Sequence, residues 1–174
     1  QLSFCSINLS APTLSDPEFP QFIKDLIETS GIPSEKLCFE ITETSAISNF
    51  NQALKLISVI KAKNFLFPYD IFGSGMSSFG YLKNLPVDFL KIEGSFVREI
   101  VSDNTSMALV RSINDIGHVM GKKTIAEFVE DDAVLEMVTK LGIDYAQGYG
   151  ISKPMPLVEF VAGQSSEEPQ SGTG

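Results

Sequence analysis

The sequence predicts an α/β fold on parallel strands, a closed barrel in preference to an open doubly wound sheet. Two observations carry this. Short apolar runs alternate with longer amphipathic segments, and strict alternation implies parallel strands joined by helical crossovers. No Gly-x-Gly-x-x-Gly loop follows the first run, which weakens the dinucleotide-binding alternative. The turn Gly73-Ser74-Gly75 follows an internal run and lacks the third glycine and the ribose acid. Six strands can be counted where a complete barrel has eight, and 174 residues fall short of about 250 for that fold.

The strand-like runs, in order, are Leu2–Leu9, Leu37–Ile41, Phe65–Ile71, Phe89–Ile92, Lys123–Ala126 and Ile143–Tyr145. Between them lie segments with helical spacing. Asp16–Ser30 places Phe19, Phe22, Ile23, Leu26 and Ile27 on one face. Phe50–Lys63 does so with Leu54, Ile57, Val59 and Ile60, and Asn104–Met120 with Leu109, Val110, Ile113 and Ile116; Ala133–Leu141 follows. Gly31, Gly121 and Gly142 sit just past helical runs, where a C-terminal cap tolerates positive φ. The first run reads as a buried strand with no capping segment before it, which predicts further sequence upstream. From Gly163 to Gly174 apolar periodicity stops, so the division is a folded part over 1–162 and a disordered tail or linker over 163–174.

Hydrophobic residues make up 43% and charged residues 20% of the chain, ordinary for a globular protein. The net charge of -9 argues against a DNA or RNA partner, because backbone affinity rests on clustered Lys and Arg. No apolar run is long enough to cross a bilayer, so no membrane contact is expected from this segment. Cys5 and Cys38 lie in apolar runs without metal-ligand spacing. They read as buried free thiols, consistent with a reducing cytoplasm.

The polar residue ending each apolar run is the most informative feature. These are Asn8, Glu40, Asp70, Lys91, Glu127 and Gln147. In a parallel barrel the C-terminal strand ends converge on one mouth, so the six would share one space. Hard divalent cations such as Mg²⁺ or Mn²⁺ prefer that oxygen-rich set. His118, the single histidine, lies in a helical run and gives zinc or histidine chemistry little support. Each residue alone has an ordinary alternative: Asn8 in a turn, Asp70 starting one, Lys91 pairing with Asp88 or Glu93 at the surface, and Gln147 bonding in a loop. Glu40 and Glu43 can be a strand-end acid and a helix N-terminal acid, and Glu127 and Glu130 acids at the start of a solvated helix. Six at successive strand ends make a shared site the better reading.

The same positions carry a resemblance. Ser6-Ile7-Asn8-Leu9-Ser10, Phe39-Glu40-Ile41-Thr42-Glu43, Phe72-Gly73-Ser74-Gly75-Met76-Ser77-Ser78, Leu85-Pro86-Val87-Asp88, Lys91-Ile92, Ala126-Glu127-Phe128-Val129-Glu130 and Gln147-Gly148-Tyr149 resemble, in order and spacing, the motifs of EAL domains. The resemblance implies a TIM-like (β/α) barrel, incomplete here, with about the last six strands present and the Glu-Ala-Leu signature segment absent. It implies binding of cyclic di-GMP and, in active relatives, its hydrolysis to the linear dinucleotide by two Mg²⁺ or Mn²⁺ ions. Asn8, Glu40, Asp70, Glu127 and Gln147 would then be metal-associated, Lys91 and Glu127 catalytic, and Glu43 the anchor of the loop from Asp70 to Ser78. A homodimer, or a partner domain within a longer signalling protein, is the expected setting.

The sequence departs from the family pattern around one metal. Ile71 stands where a second aspartate is usual and has no donor atom. Pro68 interrupts the preceding strand, a residue normally confined to edges or bulges. Glu93 replaces an aspartate and Phe128 a common glycine. The expectation is a degenerate domain with one bound ion or none, binding cyclic di-GMP or a partner protein with weak or no hydrolysis; an active phosphodiesterase is the alternative. An open sheet would also expose edges beside Leu2–Leu9 and the final strand.

Overall fold

The computed structural model describes residues 4–48, 50–62, 65–72 and 85–165. The side chains of Ile27, Glu43, Thr44, Ile47, Tyr69, Asp70, Ile71, Phe72, Gln164 and Ser165 lie outside that description. The order is β1 (Cys5–Asn8), α1 (Ala11–Ser15), α2 (Phe19–Ser30), a 3₁₀ turn (Ser34–Lys36), β2 (Leu37–Thr42), α3 (Glu43–Ser48), α4 (Phe50–Lys61), β3 (Pro68–Phe72) and β4 (Phe89–Ile92). It continues with α5 (Gly94–Glu99), α6 (Asn104–Val119), β5 (Lys123–Ala126), α7 (Asp132–Lys140), β6 (Tyr145–Ala146) and α8 (Leu157–Ser165). The strands form one sheet in sequential order, each neighbour pair parallel. All six expected strands are present, slightly trimmed or shifted at their ends.

Side chains alternate across the sheet with the period of two that strands impose. Phe39, Ile41, Leu90, Ile92 and Ala126 face outward and pack with Leu56, Ile57, Ile60, Val110, Ile113, Val134 and Val138 of the helices. Cys38, Phe89 and Ile125 face the other way and form an inner cluster with Phe4, Leu66 and Tyr145. Phe4, just before β1, brings its ring centroid within 6.0 Å of Tyr145 in β6 and 5.5 Å of Phe89 in β4. The entry to β1 and a residue of β6 thus meet over the middle of the sheet, so the sheet curls into a partial barrel. Among the described residues no ladder joins β1 to β6.

Local signals explain the element ends. Ser10 caps α1, Asp103 caps α6 through the N–H groups of Thr105 and Ser106, and Asp131 caps α7 through Val134 N–H. Gly31, Gly121 and Gly142 take φ of +66°, +68° and +72° as expected. Pro68 opens β3, and the pairing of β3 with β4 shifts register between Tyr69 and Phe72. Proline thus sits at a strand start beside an irregularity, where a missing N–H is tolerated.

Several burial expectations need correction. β1 is exposed along its length, with Ile7 at 42%, because it is an outer strand. Cys5 is accordingly exposed, and Cys38 alone of the two thiols is buried. The apolar face of α2 is only partly covered: Ile23 is buried, but Phe22 and Leu26 are 57% and 45% exposed. Leu109 and Val59 are likewise exposed. Residues 163–165 stand within α8, and 166–174 of the expected tail lie outside the described residues.

Candidate functional site

Glu40, Lys91 and Glu127 meet inside the curl of the sheet. Glu40 is on the inner face of β2, Lys91 holds the same face of β4, and Glu127 follows β5 directly. Lys91 Nζ lies 3.0 Å from Glu40 Oε2 and 2.8 Å from Glu127 Oε1. Glu40 and Lys91 are 7% and 4% exposed, so one ammonium bridges two carboxylates in a water-poor setting. Such a pair is costly to desolvate and depends on good geometry. The surface pairing of Lys91 with Asp88 or Glu93 does not occur. Asp88 instead holds Lys61 at 2.5 Å and accepts from Phe67 N–H at 2.7 Å, while Glu93 precedes α5 as its cap residue.

Ser6 joins this cluster, although sequence reasoning did not single it out. Its hydroxyl donates to Glu40 Oε1 and contacts the Cys38 thiol. Ser6 lies two residues before Asn8, on the same face of β1, and that spacing was the available signal. Burial pushes the Cys38 thiol up to about 12, against the lowering effect of Ser6, so this thiol is held neutral.

The remaining positions are placed by backbone. Asn8 ends β1 opposite Glu40. Gln147 follows β6, its N–H donating to Ala126 O at 2.8 Å and its carbonyl accepting from Val129 N–H at 3.0 Å. Both stand at the mouth, yet neither side chain hydrogen-bonds to another described residue. Asp70 pairs with Thr42 in the β2–β3 register, which puts its backbone beside the end of β2. The side chains of Asp70 and Glu43, and the loop over 73–78, fall outside the described residues. Gly148 and Gly150 let the segment after β6 lie against the backbone after β5, for a Cβ at Gly148 would stand 2.3 Å from Val129 O.

The donor set is right in kind for a hard divalent cation, being carboxylate and amide oxygen. In number it is short: among the described residues no three His, Cys, Asp or Glu side chains converge to hold a metal. Asp70 is the further carboxylate that the strand register brings to this end. A groove lined by Pro17, Pro20, Lys55 and Val59 runs between α2 and α4, in the helical layer and apart from the charged cluster. Among the described residues no helix is long and apolar enough to cross a membrane.

Comparison with known proteins agrees with this arrangement. The EAL domain profile matches residues 1–154. Cyclic di-GMP phosphodiesterase PdeB of Shewanella oneidensis is 42% identical over 155 residues, covering 89% of this chain and 18% of that protein. The chain thus spans less than a fifth of that relative's length. The crystal structure of the EAL domain of Mycobacterium smegmatis DcpA superposes with a TM-score of 0.87 at 28% identity, covering 94% of this chain and 73% of that one. The FimX EAL domain from Pseudomonas aeruginosa bound to c-di-GMP gives 0.83 at 29% identity, covering 87% and 62%.

Proposed function

The chain belongs to the EAL domain family, and from that premise we propose that it binds cyclic di-GMP as part of a signalling protein, with weak or no hydrolysis. The Glu40–Lys91–Glu127 cluster carries the proposal. It presents a fixed ammonium and two carboxylates at the strand ends, while Ile71 supplies no donor where the family resemblance places a second metal-binding aspartate. The lysine can hold a phosphoryl oxygen or a water by charge-assisted hydrogen bonding. A similar domain, that of FimX, was solved with c-di-GMP.

A divalent cation, Mg²⁺ or Mn²⁺, would be held by Asn8, Glu40 and Asp70, with Glu127 and Gln147 completing the shell of metal and water. When bound, it supplies Lewis-acid charge neutralisation and acidifies a bound water. With Ile71 in place, one ion or none is the expected complement. Glu43 would anchor the loop that follows Asp70. The protein would act in the cytoplasm, as a homodimer or beside partner domains.

A second reading, an active cyclic di-GMP phosphodiesterase, is favoured by a specific observation. The 42%-identical relative is named as one, and Lys91 and Glu127 are both in place. Calorimetric titration of cyclic di-GMP in the presence of Ca²⁺ tests the binding claim. Saturable binding, weakened at least ~10-fold by Glu127→Gln, is expected; no heat at any concentration would overturn it. Ile71→Asp should raise the Mn²⁺ bound per chain, and unchanged stoichiometry would remove Ile71 as the defect.

A further inference from the structure

Phe128 holds φ at +54°, and among the described residues no other non-glycine residue has positive φ. A bulky side chain in that region is strained and persists only where its surroundings over-determine it. Burial alone does not account for it, since Phe128 is 47% exposed. Its surroundings hold it specifically. A Cβ at Gly94, the first residue of α5, would stand 1.9 Å from Phe128 Cδ2 and 2.6 Å from Cγ and Cε2. The ring therefore lies in a notch that only glycine leaves open. The guanidinium of Arg98, in the same helix, sits 4.8 Å from the ring centroid, and its Nη2 donates to Glu130 Oε1 at 3.2 Å.

These contacts join two segments that also carry the site. Lys91, Gly94 and Arg98 lie on β4 and α5; Glu127, Phe128 and Glu130 lie on the segment after β5. On its other side that segment is tied to the exit of β6, by Val129 N–H to Gln147 O at 3.0 Å and Gly150 N–H to Val129 O at 2.9 Å. Glu127 is thus the residue between a pinned ring and the strand end, and its carboxylate meets Lys91 at 2.8 Å.

We propose that Phe128 is a positioning residue: lodged against Gly94 under Arg98, it fixes the segment after β5 so that Glu127 is seated on Lys91. Its effect on ligand binding rests on the cyclic di-GMP reading above; its effect on the Glu127–Lys91 pair does not.

The first experiment is a cycle in thermal stability. Gly94→Ala should lower Tm by roughly 3–10 °C when Phe128 is present and by no more than about 2 °C on a Phe128→Gly background. Equal losses on both backgrounds would refute the notch. The second measures the coupling between Lys91→Met and Glu127→Gln, with Phe128 and with Phe128→Gly. Coupling that falls by at least about half on the glycine background is expected, and unchanged coupling would overturn the proposal even for a chain that binds no nucleotide. Glycine suits the backbone at +54°, so the variant keeps its fold. In calorimetry with cyclic di-GMP, Phe128→Gly should weaken affinity roughly 2- to 30-fold, while Phe128→Tyr, which keeps the ring, binds as the parent does. Absence of binding by the parent would instead defeat the cyclic di-GMP reading. A tyrosine variant as weak as the glycine variant would count against a role for the ring.

Discussion

Replacing Lys91 by methionine keeps most of the side-chain volume and removes the charge between Glu40 and Glu127. In the folded protein Lys91 is 4% and Glu40 7% exposed, with contacts of 3.0 and 2.8 Å. At an effective dielectric of about 20, each contact is worth roughly 5–6 kcal/mol of Coulomb energy, largely offset by desolvation of the three groups. What the substitution exposes is the uncompensated remainder. Breaking a buried pair by deleting one partner costs about 3–5 kcal/mol, which for a chain of this size lowers Tm by roughly 6–20 °C. Lys61→Met gives the comparison: the Lys61–Asp88 pair is 29% and 27% exposed in its side chains and should cost about 1 kcal/mol or less. Adding Glu40→Gln to Lys91→Met should recover part of the loss, since one unpaired charge disappears. Thermal and urea denaturation of the four proteins at neutral pH measure this. A Lys91→Met protein as stable as the parent would refute the buried bridge, and with it the seating of the site.

The other predictions concern Cys38 beside the site and groups elsewhere in the fold. Cys5 should react with a thiol reagent in the native protein, and Cys38 only after denaturation. At pH 8 a thiol with its pKa pushed up to about 12 is thiolate in only about 1 in 10⁴ molecules; two fast equivalents would contradict this. Because the folded value lies above the ordinary one of 9.0, the contribution of Cys38 to stability is complete below pH 9 and is lost as pH rises towards about 12; Cys38→Ala should flatten that alkaline limb. Burial pushes Asp144 up, but Thr124 N–H at 2.9 Å and His118 at 2.8 Å hold it below its ordinary value. Its contribution is therefore present above the usual carboxylate pKa of about 3.9 and fades as pH falls through the lowered one. The Tm difference between parent and Asp144→Asn should shrink from pH 6 towards pH 3, and a constant difference would count against the assignment. Gly148→Ala would set a Cβ 2.3–2.4 Å from Val129 O and N and should cost about 1–3 kcal/mol. Gly163→Ala, with nothing within 4 Å, should cost nothing measurable.

The strands were legible because parallel strands covered on both faces read as unbroken apolar runs. Leu37–Ile41, Phe89–Ile92 and Lys123–Ala126 therefore coincide with β2, β4 and β5 almost residue for residue. Short helices were not: α1, α3 and α5 are too brief to show a helical period, and the cap Ser10 places on α1 is seen only in the structure. The convergence of Glu40, Lys91 and Glu127 was visible as a pattern of strand ends. The partners of Lys91 were not, because Asp88 and Glu93 are nearer in sequence and only the closing of the sheet decides between them. Ser6 and Arg98 escaped for a similar reason, since their partners lie on other strands and loops. The amphipathic period of α2 was real, but no period reveals how much of a face its neighbours cover, and Phe22 and Leu26 stay exposed.

The central claim, a cyclic di-GMP site that holds its ligand with weak or no hydrolysis, is tested most directly by following the nucleotide itself. The protein is mixed with cyclic di-GMP and Mn²⁺ at concentrations that saturate the site by calorimetry, and the mixture is resolved by chromatography over time. Heat of binding is expected, with nucleotide that stays cyclic or is opened only slowly. Complete and rapid conversion to linear dinucleotide by the parent, lost with Glu40→Gln, would contradict the claim and make the chain a working phosphodiesterase.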